Sequence, residues 1–151
     1  MLPLLLLGLL LHAPEAPVTA AEADRQAILA HIDGLFQAYF RGDLPAIRRG
    51  HTADWTGFQI GSREIVRGID AYMKNAEAVL ARFRGVRYVL EDVQIDLHGD
   101  RAVVFYVARE WVLDDEGKEK EIRLRSVDLY RRERGGWNQE GSHIALLPSL
   151  P

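Results

Sequence analysis

Apolar residues recur at spacings of three and four through the first third of the chain. Between Ala21 and Arg41 they are Ile28, Ile32, Leu35, Phe36, Tyr39 and Phe40, the single stripe of an amphipathic helix. Gly42 can end that helix in the left-handed conformation. Asp43 can cap a second, short one over 43–50, with Pro45 in its first turn. The stripe returns after Gly68, where Ile69, Tyr72, Met73, Ala76, Val79, Leu80 and Phe83 predict a third helix over 69–84.

Elsewhere the period changes from helical to that of strands. Asp54 to Ile60 is a short run of aromatic and β-branched residues broken by Gly61. Four longer strand candidates follow, at 86–97, 101–113, 119–131 and 137–146. His98-Gly99-Asp100, Asp114-Asp115-Glu116-Gly117 and Gly135-Gly136 separate them as tight turns. Short turns join antiparallel neighbours, so the sheet is expected to be a meander and the domain α+β. Val103, Phe105 and Val107 alternate with Val104, Tyr106 and Ala108, so both faces of the sheet are apolar and need covers. The helices supply one cover. A second copy of the chain, as a homodimer, is the expected other.

The chain has 151 residues, 48% of them hydrophobic, which is enough for one domain with a sizeable core. A formal net charge of −3 and basic residues interleaved with acids, as in Lys118-Glu119-Lys120-Glu121, argue against a nucleic-acid partner. No cysteine is present, which excludes disulfides and thiol chemistry. The leucine-rich start, Met1 to Leu11, is too short to span a bilayer, which takes about 20 residues. Val18-Thr19-Ala20 supplies small residues for cleavage, so 1–20 reads as an export signal. No Lys or Arg stands in its first residues, and a mis-assigned start or an uncleaved anchor remains open. The expectation is a periplasmic or extracellular domain over 21–151, with no membrane segment in its mature form.

Three local features carry a resemblance that spans about residues 24–147. Gly42-Asp43 follows the first helix. Gly68-Ile69-Asp70-Ala71 opens the third. The chain then closes with Arg125-x-Val127-x-Leu129, Gly135-Gly136-Trp137 and His143. In this order they resemble the SnoaL-like group of the nuclear-transport-factor-2-like superfamily, which also holds ketosteroid-isomerase-like and kinase-association-domain-like members. The resemblance implies a cone of three N-terminal helices packed on a curved antiparallel sheet. Val127, Gly141 and Ala145 depart from the group's usual Thr, His and Ser. The fold hosts many functions and names none of them.

Within that frame the last strand offers candidate chemistry. Trp137, Gln139, Gly141, His143 and Ala145 alternate onto one face, an odd mixture for a packing face and a plausible pocket wall. Closing the hairpin with Arg131 opposite Trp137 puts Arg125 opposite His143; a slip of one residue separates them. Gly141 would leave room beside the pair. Arg125 can hold a carboxylate or carbonyl, and His143 can exchange a proton near neutral pH. Arg109, inside an apolar strand, needs a partner: a ligand anion, or Glu110 or Glu121. Trp55 and Tyr39 are candidates to pack on a ligand, and core packing is the plainer role. Asp128 alternates with Arg125 and is expected to face away from the cavity. The acid that ketosteroid isomerases carry near the end of their first strand is missing from Gln59-Ile60-Gly61. The five histidines, His12, His31, His51, His98 and His143, have no ligand spacing, and no nucleotide-binding or nucleophile motif occurs, so no metal or cofactor is expected.

The leading expectation is an exported, dimeric domain that binds a small carbonyl or anionic organic molecule. A lyase or isomerase using His143 as acid–base is the alternative. A non-catalytic interaction module is a third, and a sealed cone would favour it.

Overall fold

The computed structural model describes residues 19–114 and 116–148. The leader expected over 1–20 lies, up to residue 18, outside the described residues. Helix α1 spans Ala20–Arg41, α2 Leu44–Arg49 and α3 Ile69–Leu80. Strands β1 (Thr56–Gly57) and β2 (Val66–Arg67) form a small ribbon. The main sheet contains β3 (Arg84–His98), β4 (Arg101–Leu113), β5 (Glu119–Glu133) and β6 (Gly136–Leu146), in that order and antiparallel throughout. This is the expected α+β meander. None of the described helices is long and apolar enough to cross a membrane.

Local chemistry accounts for the helix ends. The Thr19 side chain accepts the Glu22 N–H and caps α1, and Gly42 closes it at φ 66°. The Asp43 carboxylate accepts the Ala46 N–H at 3.0 Å and starts α2. Helix α3 stops four residues before the stripe predicts, and the chain enters β3 at Arg84. Strand β2 had no periodic signal, because two residues are too few to show one.

The inner face of the sheet packs on α1. Ile28 and Ile32 of the helix meet Val104, Tyr106, Leu124, Tyr130 and Trp137 of the sheet. A second cluster, Ala38, Ile47, Trp55, Tyr72, Met73 and Ala76, locks α2, α3 and the β1 segment together. Among the described residues, nothing fully covers the outer face. Phe105 and Leu129 are 40% and 41% exposed there, beside the ion pairs that Arg109 and Arg123 make with Glu91.

The register of the last hairpin differs from the expected one in two places. The turn uses two residues, Arg134 and Gly135, so Trp137 faces Arg132 and not Arg131. Glu140 is then an extra residue on β6: Tyr130 pairs with Gln139, whereas Leu129 pairs with Gly141. This bulge inverts the alternation. Trp137 and Gln139 face the cone, then Ser142 and Ile144 do, while His143 turns outward opposite Val127. Arg125 faces Ala145. Glu140 is held by Arg101 at 2.6 Å and by Arg131 at 3.5 Å, so the bulge carries its own anchor.

Candidate functional site

Between α1, α3 and the inner face lies a cavity of about 150 Å³. Its walls are apolar and include Leu35, Phe36, Phe40, Val79, Val112 and Leu124. The cone is therefore not sealed by its own core. Polar groups gather among the lining side chains: Asp128, Tyr106, Tyr130, Gln139, His51, Gln59, Tyr72 and Glu110.

Asp128 is 1% exposed. One carboxylate oxygen accepts the Tyr106 hydroxyl at 3.0 Å and the other accepts the Ser126 hydroxyl at 2.6 Å. Burial opposes ionisation and these hydrogen bonds favour it. Burial wins and pushes the carboxyl up to about 6. Burial also pushes Glu110 up to about 7. Two carboxyl groups on one cavity can thus exchange protons near neutral pH.

His51 is 5% exposed and lines the same cavity. Its Nδ1 lies 2.5 Å from the Ile47 carbonyl oxygen, which can only accept, so Nδ1 carries the proton. Burial lowers this imidazole to about 4, and the ring is neutral at physiological pH. The Tyr39 and Tyr72 hydroxyls meet at 2.7 Å. The Trp55 indole N–H donates to Gln139 Oε1 at 3.1 Å.

The expected site residues are dispersed. Tyr39 lines the cavity. Trp55 is fully buried behind it, in the cluster with Tyr72. Arg125 and His143 share one face of the sheet, but it is the outer face, in a shallow surface depression with Phe105 and Val127. They are not cross-strand partners and do not enter the cone, because the tighter turn and the Glu140 bulge each shift the register. Gly141 leaves no room for a ligand: a Cβ there would run into the Thr56 carbonyl oxygen. Arg109 also lies outward. It pairs with Glu91 at 3.4 Å and Glu121 at 3.2 Å, with its guanidinium over Trp111. Among the described residues, no group of three or more His, Asp or Glu is arranged to hold a metal.

Asp128, Glu110, His51 and Gln59 were missed as site residues. One signal was available for Asp128. On β5 the odd positions Arg123, Arg125 and Arg131 are charged, whereas the even ones, Leu124, Ser126, Asp128 and Tyr130, hold one charge among small and apolar residues. The face with the lone charge is the inner one. Taking the parity from Arg125 reversed it.

Comparison with known proteins agrees with this geometry. No curated protein matches the chain. Among solved structures, a ketosteroid isomerase-like protein from Erwinia carotovora atroseptica superposes with a TM-score of 0.69 at 18% identity, over 82% of this chain and 96% of that one. A protein of unknown function from Mycobacterium tuberculosis gives 0.76 at 17% identity, over 91% and 80%. A nuclear-transport-factor-2-like protein of unknown function from Pseudomonas putida gives 0.70 at 19% identity, over 87% and 91%. At such identities the likeness is one of fold. The family match is more specific: the SnoaL-like domain fits residues 28–147. With its helices, cone and antiparallel meander, the chain belongs to the SnoaL-like domain family.

Proposed function

We propose that this SnoaL-like domain binds a small, mostly apolar organic molecule in the cone cavity, exported and as a homodimer. One observation carries the reading: an apolar cavity of about 150 Å³ whose lining includes a buried, hydrogen-bonded carboxyl group. Leaving such a volume unpacked costs on the order of 3 kcal/mol of stability, a cost that binding a ligand would offset. Asp128, Tyr106 and Tyr39 replace Arg125, Arg109 and His143 as the expected ligand contacts. The dimer reading draws on Phe105 and Leu129 exposed on the outer sheet face. The export reading draws on the leucine run and Val18-Thr19-Ala20.

The test is native mass spectrometry of the chain purified from its own host. A co-purifying organic molecule is expected, and Leu124→Trp, which fills the cavity, should abolish its retention. Arg125→Ala should retain it. Equal retention by the Leu124 variant would refute the cavity as the site. The same spectra report the dimer mass and cleavage near Ala21.

A second reading, an acid–base lyase or isomerase acting on a carbonyl compound, is favoured by Asp128 and Glu110 lying on the cavity with carboxyl groups pushed up to about 6 and about 7. One structural relative is described as ketosteroid isomerase-like. On this reading the proton carrier is a carboxyl group and not His143. Turnover lost in Asp128→Asn or Glu110→Gln, with binding kept, would establish it.

A further inference from the structure

We infer that the cavity takes a small organic amine in its protonated form, with the ammonium group against the Glu110 carboxylate at the mouth and the apolar body inside; this rests on the ligand-binding reading above. Glu110 lines the cavity and belongs to the inner-face series of β4, where it is the one charged residue among Ala102, Val104, Tyr106, Ala108 and Val112. Burial alone raises its carboxyl to about 7; among the described residues no neighbouring charge or hydrogen bond opposes that rise. Arg109, next to it in sequence, lies on the outer face and is held by Glu91 and Glu121. Its cross-strand neighbours are Tyr88 and Ile122, and the Tyr88 hydroxyl donates to Asp33. A carboxyl facing apolar walls without a partner is costly, and a cation brought by a ligand would satisfy it.

Position makes Glu110 reachable. It is half-buried, and its carboxyl is not one of the fully enclosed polar groups that lack a partner. Val112, two residues on, pairs with Gly85 at the start of β3. At this end of the cavity Val79 and Leu80 are half-buried and Phe83 is exposed. A charged group held there keeps some contact with water, which limits the desolvation cost that weakens deeply buried ion pairs. Asp128 lies elsewhere. Glu110 pairs with Ile122 and Asp128 with Val104, so about 20 Å of strand separates the two acids. Both oxygens of Asp128 are already taken by the Tyr106 and Ser126 hydroxyls.

Charge sets the class of ligand. Among the described residues no Lys or Arg lines the cavity, so an anion would meet a carboxylate with no counter-charge. A neutral ligand would leave Glu110 unpaired or protonated. The aromatic walls favour the same sign. Phe36 and Phe40 line the cavity, and both pack on Tyr88, directly across from Glu110; aromatic ring faces attract a cation. Size sets the scale of the probe: an apolar cavity of about 150 Å³ admits a single benzene-sized ring. The probe is therefore one ring with a short arm that carries the charge.

The experiment titrates the folded chain with benzylamine, benzyl alcohol and benzoate by calorimetry at about pH 8, where Glu110 is ionised and the amine still protonated. It is repeated on Glu110→Gln, a nearly isosteric change, with circular dichroism to confirm folding. Benzylamine should bind at least about tenfold more tightly than benzyl alcohol, the difference made by one charge-assisted contact, and benzoate should bind most weakly. In Glu110→Gln the benzylamine affinity should fall about tenfold, with the benzyl alcohol affinity held. Benzyl alcohol binding the unaltered chain as tightly as benzylamine, or more tightly, overturns the inference, and so does an unchanged benzylamine affinity in Glu110→Gln; either result leaves the pocket itself standing. The comparison of ligands needs no variant and stays decisive if Glu110→Gln does not fold. Failure of all three probes on the unaltered chain removes the pocket reading along with the inference.

Discussion

Asp128 and Asp54 carry the same carboxyl group into opposite surroundings. Asp128, on the inner face of β5, is enclosed by the cone, and burial raises it to about 6 despite two hydrogen bonds. Asp54 is exposed and accepts both guanidinium nitrogens of Arg131, at 2.7 and 3.0 Å, which holds it well below the usual carboxylate range. The contrast extends to whole faces. The outer face of the sheet collects arginines in pairs with glutamates, in reach of water, where an ion pair contributes little. The inner face admits few polar groups, among them Asp128, tied to Tyr106 and Ser126, and Gln139, tied to Trp55. One sheet thus separates a solvated, charge-paired surface from a pocket where single groups acquire unusual protonation behaviour.

The largest expected effect tests that separation through packing. Trp55 is fully buried behind the cavity, and Trp55→Ala should cost about 3–5 kcal/mol in chemical denaturation. Phe105 on the outer face is 40% exposed, so Phe105→Ala should cost under about 1 kcal/mol in a monomer. A larger, concentration-dependent loss for Phe105→Ala would mean that a second chain covers this face.

The next effect concerns pH. The Asp128 carboxyl is raised from 3.8 to about 6 on folding, so the folded state holds the extra proton between those values. Its contribution to stability falls as pH rises through that window and is constant above it. Asp128→Asn removes the term, and relative to the unaltered chain the variant should gain about 2–3 kcal/mol between pH 4 and 7. His51 has the opposite sign. Its imidazole is lowered from 6.5 to about 4, so the unfolded state takes the proton first and stability rises with pH across that range. Glu110, raised by burial from 4.5 to about 7, adds a slope of the Asp128 sign, and His31, lowered by burial, adds one of the His51 sign. Urea midpoints of Asp128→Asn, taken relative to those of the unaltered chain at the same pH, should therefore rise progressively from pH 4 to 7. A variant that tracks the unaltered chain would show that Asp128 is not buried as described.

The smallest effect is expected on the outer face. Arg109 is 37% exposed between Glu91 and Glu121, and Arg109→Ala should cost less than about 1 kcal/mol, less still in high salt. Cavity binding should not change. A loss of ligand affinity in this variant would join the two faces that the structure keeps apart.

The architecture was legible because the signals for it are local. The stripe from Ile28 to Phe40, the stop at Gly42, the cap at Asp43 and the three turns between the strands need only near neighbours to act, and the elements begin and end within a few residues of the places those signals mark. The site was less legible. Tyr39 lines the cavity as its stripe position allows, whereas His51 and Gln59 sit in short irregular segments whose direction no period reports.

What the sequence determined by itself is the order of the elements, the α+β class and the presence of two apolar sheet faces, since alternation along a strand is a property of the backbone. Which residues face the cone was decided by the tertiary structure. The alternation on β6 inverts at Glu140, and that residue is displaced by Arg101, on β4, and Arg131, on β5. A bulge held by residues 39 and 9 positions earlier in the chain leaves no periodic trace along its own strand. One displaced residue turns His143 to the outside and brings Ser142 and Ile144 to the inner face, because the side-chain period of a strand is two and any single insertion exchanges its faces.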